Sequence, residues 1–217
     1  MSLILTRRLT LLGASAAVLT ACAKKGGGGE ASAANLPSDM SLGNPNAKVT
    51  VVEYASVACP VCGGWFRETW PAFKAKFVDT GKIKYVLREM LVGGQDEVAT
   101  AASGFLLARC AGKDRYFQIV DAIFNSQNTT QGAPGLFTDP RGTLLDIAKS
   151  AGFTEAQFDA CVRDESAIDA LQKRVESNSK IDNVNSTPTF VVNGTPLAVG
   201  PRSLDELTAA IDKAQKG

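Results

Sequence analysis

The sequence predicts an α/β fold in which a β-α-β unit and a later β-β-α unit flank an all-helical insertion. Three observations predict it. "KVTVVEYAS" (48–56) and "IKYVLREM" (83–90) are rich in β-branched and aromatic residues, the mark of buried strands. Between residues 96 and 180 apolar residues recur at helical spacing instead. "TPTFVVNGTPLAV" (187–199) then returns to β character around Asn193-Gly194, a strong hairpin turn.

The chain opens with a basic pair, Arg7 and Arg8, and an apolar run from Leu9 to Leu19. That run is too short for a permanent span and reads as an export signal. It ends in "LTAC", which resembles the lipobox of bacterial lipoproteins, so Cys22 is expected to carry lipid after processing. "TRRLTLL" loosely resembles a twin-arginine signal, which leaves the export route open. Residues 1–22 are thus expected to be a signal peptide and residues 23–41, Gly- and Ala-rich, a flexible tether from a membrane surface.

The first strand of the fold leads into a helix starting near Cys59, with Pro60 in the first turn, where its missing N–H costs nothing. Phe66, Trp70, Phe73 and Phe77 mark its core face, and Pro71 predicts a kink. Trp65 lies off that face, which leaves both a surface position beside Cys59 and core packing open. A turn at "TGK" (80–82) precedes the second strand, giving the start of a parallel sheet. In the insertion, Val98, Ala102 and Phe105 share one helical face, and Tyr116, Ile119, Val120 and Ile123 another. Residues 127–140 read as a loop and 143–151 as a helix, and Thr154 with Gln157 forms a capping box. Ile168, Leu171 and Val175 stripe a further helix. After the hairpin, whose second strand Pro196 places at an edge, Ser203 and Glu206 cap a last helix. The expected domains are 42–94 with 181–217, and an inserted helical subdomain over 95–180.

Composition narrows the chemistry. Net charge is +1 with 21% charged residues, so no bulk field argues for nucleic acid. Histidine is absent, which removes Ser-His-Asp and Cys-His machinery and most catalytic zinc designs. Any nucleophile must be activated without imidazole. Of five cysteines, four remain if Cys22 is lipidated, an even number that in an oxidising compartment suggests two disulfides. Four cysteines allow three pairings, and spacing favours Cys59–Cys62 and Cys110–Cys161. A bridge between the latter would close a loop worth roughly 3–4 kcal/mol, although two free thiols or a second redox pair are also possible.

Cys59 and Cys62 frame Pro60 and Val61 at a helix start. A helix N-terminus offers unpaired N–H groups and about half a positive charge, which stabilises a thiolate. Cys59 receives most of that field and is the expected nucleophile; Cys62, one turn deeper, is the resolving partner. Zinc would need further ligands that the chain does not offer, and a staple across two residues closes almost no loop. Glu53 stands six residues before Cys59 on a buried strand. Burial raises a carboxyl pKa, which suits proton exchange with Cys62; neutralisation by a lysine is the bland alternative.

Removing the insertion leaves the thioredoxin arrangement, and the chain resembles the DsbA-like thiol–disulfide oxidoreductases, thioredoxin folds carrying a helical domain. Glu53, "CPVC", "TGKIKYVLRE" and "STPTFVVNG" carry the resemblance, which covers residues 42–213. It implies a cis peptide at Thr187-Pro188 beside the cysteines, with adjacent backbone able to pair with an extended substrate, and a buried acid that moves protons. It also implies a structural disulfide between Cys110 and Cys161. No cofactor is implied, because the cysteines carry the electrons. The implied partners are thiol-bearing exported proteins and a membrane redox protein that resets the pair. The implied place is the periplasmic side of a bacterial membrane, lipid-anchored, or the soluble periplasm if Cys22 stays bare.

Direction is the open point. Oxidases of this family carry histidine where this chain has Val61, so the couple is expected to be less oxidising than theirs. Thr187 before the proline resembles the isomerase and reductase branch as much as the oxidase branch. Isomerases of that branch commonly carry a separate dimerisation domain, and only the tether precedes this fold. An oxidase is the favoured reading, with an isomerase or reductase as the alternative. A rival from another class is a non-catalytic lipoprotein that binds unfolded chains or a soft metal.

Overall fold

The computed structural model describes residues 38–127 and 135–216. The signal peptide, Cys22 and nearly all of the expected tether lie outside the described residues.

Five strands form one sheet in the order β1-β3-β2-β4-β5: β1 Met40–Gly43, β2 Val49–Ala55, β3 Ile83–Glu89, β4 Thr189–Val192 and β5 Thr195–Pro196. β2 and β3 run parallel, as the β-α-β reading requires, while β1, β4 and β5 pair antiparallel. Asn193 and Gly194 both have positive φ, 45° and 80°, which is the type I′ turn that matches strand twist. The Asn193 side chain also accepts from Thr50 N–H and donates to the Lys48 carbonyl, pinning the hairpin to the start of β2. With its inserted helices this is the expected thioredoxin-like α/β fold.

Among the described residues, eight α-helices complete it. α1 (Pro60–Glu68) and α2 (Trp70–Phe73) are one interrupted helix, with Pro71 in the first turn of its second piece. A π-helical turn, Lys74–Val78, follows. The break falls where the sequence placed it, because proline cannot donate to the preceding turn. The insertion contributes α3 (Gln95–Cys110), α4 (Lys113–Ser126), α5 (Pro140–Ser150), α6 (Glu155–Val162) and α7 (Glu165–Ile181). α5 starts before the expected Thr143, since Asp139 accepts from Gly142 N–H at 2.9 Å and Pro140 fits the first turn. Capping boxes form at Thr154–Gln157 and, before α8 (Leu204–Lys216), at Ser203–Glu206.

One expectation needs correction. The tether expected over residues 23–41 reaches too far, since Met40 and Ser41 are already in β1, paired with Leu87 and Val86. Met40 is buried, and Asp39 pairs with the buried Arg88 at 3.1 Å. A short edge strand without β-branched residues leaves no periodic signal. The helices of the insertion pack into the same core as the sheet. Phe66 of α1 stacks on Phe124 of α4 at 4.7 Å, and one apolar cluster runs from the sheet through α1 into α3, α4 and α5. Cys110 and Cys161 are disulfide-bonded across α3 and α6, 51 residues apart in sequence. Closing such a loop contributes roughly 4 kcal/mol in the chain-entropy model.

Candidate active site

β2 delivers the chain to the site. Its residues alternate between the two faces of the sheet, and Glu53 shares the helix-covered face with Val51 and Ala55. In register Glu53 lies between Leu87 and Phe190. Beyond Ala55 the chain turns, with Cys59 N–H bonded to the Ser56 carbonyl at 3.0 Å. Cys59 then adopts an extended backbone conformation as the N-cap of α1, and Pro60 opens the helix.

That placement aims donors at one sulfur. Cys62 N–H reaches Cys59 Sγ at 3.3 Å, so the sulfur occupies the position of an N-cap side chain. Cys59 is partly exposed, whereas Cys62 is fully buried. The Cys62 thiol hydrogen bond is the largest influence on Cys59; with help from Thr187 and the Val61 and Cys62 N–H groups it outweighs burial and lowers the thiol to about 6. Burial is the main cause that pushes Cys62 far up, reinforced by the charges of Cys59 and Glu53. One thiol is therefore largely anion at neutral pH and its neighbour a proton carrier, which separates attacking and resolving roles. The depressed Cys59 value stabilises the reduced fold above the unfolded thiol range, and that stabilisation is lost as pH falls through about 6.

The loop before β4 closes the other side. The Thr187–Pro188 peptide is cis, and the Thr187 carbonyl lies 3.8 Å from Cys59 Sγ. The Thr187 hydroxyl is buried and finds no partner at ordinary hydrogen-bond distance among the described residues. Gly200 N–H donates to the Pro188 carbonyl at 2.9 Å, bringing the segment before α8 alongside. Val61 is half exposed and, with Gly64, Glu68, Pro201 and Arg202, borders a shallow cleft beside the cysteines. Trp65 is core. It is 3% exposed, packs on Phe190 at 4.8 Å and donates Nε1–H to the Arg202 carbonyl at 2.7 Å.

Glu53 is 1% exposed and makes no ion pair among the described residues. Its Oε2 accepts from the Tyr85 hydroxyl at 2.5 Å, while Oε1 has no hydrogen-bond partner among the described residues. Burial raises its pKa to about 8, with the Tyr85 hydrogen bond opposing the rise. A carboxyl raised this far costs the fold stability, a cost that grows as pH rises from the ordinary range toward 8. A lysine neutralising Glu53 is not what the site holds; its partner is a hydroxyl.

Two residues near the site were not singled out from sequence. Tyr85 read only as a strand aromatic, although parallel pairing with Val51 puts it on the face of Glu53. Gln127, following α4, donates Nε2–H to the Val57 carbonyl at 2.6 Å and more weakly to that of Cys59 at 3.4 Å. Its Oε1 approaches α1 at Gly63, where any Cβ would lie 1.9 Å from it. Nothing in its local sequence signals this.

Comparison with known proteins agrees with this geometry. A family model described as Thioredoxin matches residues 35–213. The chain is 34% identical over 176 residues to a putative protein-disulfide oxidoreductase of Rickettsia bellii, covering 81% of this chain and 64% of that protein. It therefore spans less than two thirds of the length of that relative. It is 27% identical to a probable disulfide bond formation protein D of Bacillus anthracis, over 82% of this chain and 78% of that one. The crystal structure of Wolbachia pipientis alpha-DsbA1 superposes with a TM-score of 0.71 at 26% identity, covering 84% of this chain and 94% of that one.

Proposed function

The chain belongs to the DsbA-like thioredoxin family, and from that premise we propose that it is a thiol–disulfide oxidoreductase that introduces disulfides into exported proteins. The observation that carries the proposal is the opposite tuning of two adjacent thiols, Cys59 lowered and Cys62 raised, at one helix N-terminus. A helix-end thiolate that is stable when reduced makes the disulfide a better oxidant.

The reaction runs from the Cys59–Cys62 disulfide. A client thiolate attacks Cys59 Sγ, forming the client–Cys59 bond and breaking the bond to Cys62. Cys62 leaves and takes a proton from Glu53, whose raised pKa keeps it protonated at neutral pH. A second client thiolate attacks the client sulfur of the mixed disulfide. Cys59 departs as a thiolate held by Cys62 N–H and S–H, and the client leaves oxidised. Two electrons have passed to the enzyme, and a membrane redox partner restores the disulfide. Pro188 and Thr187 border Cys59 Sγ, where an extended client chain would pair with the backbone.

The oxidative direction is supported by the lowering of Cys59 to about 6 and by the likeness to a probable disulfide bond formation protein D of Bacillus anthracis. The lipobox-like "LTAC" and the basic, apolar leader support a lipid anchor at Cys22 and a periplasmic location. The test is transfer to a reduced client. One equivalent of oxidised protein is expected to form about one client disulfide, with Cys59 and Cys62 recovered as thiols. Reduction of an already oxidised client under a glutathione buffer of periplasmic poise, with no net oxidation, would reverse the assignment to reductase or isomerase.

A further inference from the structure

We infer that Tyr85 is a positioning residue for proton transfer: its hydroxyl holds the Glu53 carboxyl in one orientation and sets the pH at which that carboxyl exchanges protons with Cys62. This rests on the proton-transfer reading of Glu53 and adds a residue to it.

The geometry is specific. Tyr85 is fully buried, its ring 4.5 Å from that of Trp70 and 6.1 Å from that of Phe117, so aromatic packing holds the ring beside Glu53. That hydroxyl donates to Glu53 Oε2, while the second carboxyl oxygen is left without a hydrogen bond among the described residues. One oxygen is anchored and the other is free to carry a proton. A phenol near a carboxyl in a dry site favours the anion, so it restrains the rise that burial imposes. The groups that face this pair electrostatically are Cys59 and Cys62 from α1 and Asp121 and Tyr116 from α4, with Lys74 acting on Asp121 from beside α2. The Tyr116 hydroxyl is committed to Glu89 at 3.1 Å. Tyr85 is therefore the group that reaches Glu53 by hydrogen bond among the described residues.

The step it serves balances without an added reactant. In a mixed disulfide at Cys59, Cys62 S–H gives its proton to Glu53. Cys62 Sγ then bonds to Cys59 Sγ, and the client sulfur leaves as a thiolate. The reverse step returns the proton from Glu53 to Cys62.

The test uses the full chain and its Tyr85→Phe variant, which keeps the ring and removes only the hydroxyl. In the oxidised protein, the 13C resonance of the Glu53 carboxyl reports its titration directly. The midpoint is expected to rise by about one pH unit in Tyr85→Phe, a roughly tenfold loss of carboxylate at neutral pH. In the reaction of reduced protein with glutathione disulfide, the pH profile of glutathione release from Cys59 should move up by the same amount. In a Glu53→Gln background the Tyr85→Phe change should leave that profile where it is. Site-specific difluorotyrosine at position 85, a stronger donor, should move the midpoint down, and it serves if Tyr85→Phe does not fold. A Glu53 midpoint unmoved in either variant overturns the role of Tyr85. Glutathione release in Glu53→Gln that equals the parent at every pH overturns the proton-transfer reading instead.

Discussion

Cys59→Ser is expected to abolish thiol–disulfide exchange, by on the order of a thousandfold or more, with little change in stability. The side chain is partly exposed and a serine oxygen can keep the N-cap role toward Cys62 N–H, so the helix start is preserved. What is lost is the only sulfur at this position that is both accessible and anionic at neutral pH. Cys62→Ala acts differently. Cys59 can still attack a disulfide, but nothing resolves the product, so a mixed disulfide with the client accumulates and is visible on a non-reducing gel. In the reduced parent, alkylation of Cys59 by iodoacetamide followed against pH should have its midpoint near 6. Because the Cys62 thiol is the largest influence lowering Cys59, the midpoint in Cys62→Ala should rise. A Cys59→Ser protein that still oxidises a client, or a Cys62→Ala protein that traps none, would remove both assigned roles.

Arg88→Met is expected to destabilise the fold by about 3–5 kcal/mol, read as a lower midpoint in urea unfolding. Arg88 is buried in β3 with its side chain fully out of solvent, and it meets Asp39 at 3.1 Å, Asp182 at 3.2 Å and the Tyr54 hydroxyl at 2.7 Å. Tyr54 in turn donates to Asp182. Methionine fills the volume but removes the guanidinium that both carboxylates, 4% and 6% exposed, meet in a low-dielectric interior. Asp39→Asn and Asp182→Asn placed on Arg88→Met should restore part of it, since they remove negative charge that the guanidinium balances. Release of β1 would accompany the loss, because Arg88 anchors Asp39, the residue before Met40. A variant within 1 kcal/mol of the parent would show that apolar packing, not this network, holds the edge of the sheet.

The parts of the fold that sequence revealed are those governed by local rules. β2 and β3 are rich in β-branched and aromatic residues, the Asn193-Gly194 turn needs positive φ at both positions, and the residues of each capping box are spaced by one helical turn. Cys59, Cys62 and Glu53 were legible for the same reason, since two thiols bracketing Pro60 and a lone acid on a buried strand are exceptions to composition. The rest depends on contacts between distant segments. Arg88 and Glu89 sit in a run that reads as a strand; their burial is tolerable only because Asp39, Asp182, Arg109 and Arg174 arrive from elsewhere. β1 is a four-residue edge strand that pairing alone defines. Tyr85 and Gln127 gain their place at the site from sheet register and from the docking of α4. Trp65 illustrates the limit well. Helical spacing puts it off the aromatic face of α1, yet Phe190 and the Arg202 carbonyl arrive from β4 and from the segment before α8 to bury it.

An oxidase that lacks imidazole beside its nucleophile must draw its oxidising power from the helix terminus, the Cys62 thiol and Thr187. Redox couples of this fold follow their thiol acidity, from about −270 mV where the nucleophile titrates near 7 to about −120 mV where it titrates near 3.5. With Cys59 at about 6, equilibration of the Cys59–Cys62 pair against glutathione is expected to place it at roughly −230 to −180 mV, between those limits. A value at or below about −270 mV would contradict the oxidase assignment and make this pair a reductant of exported proteins.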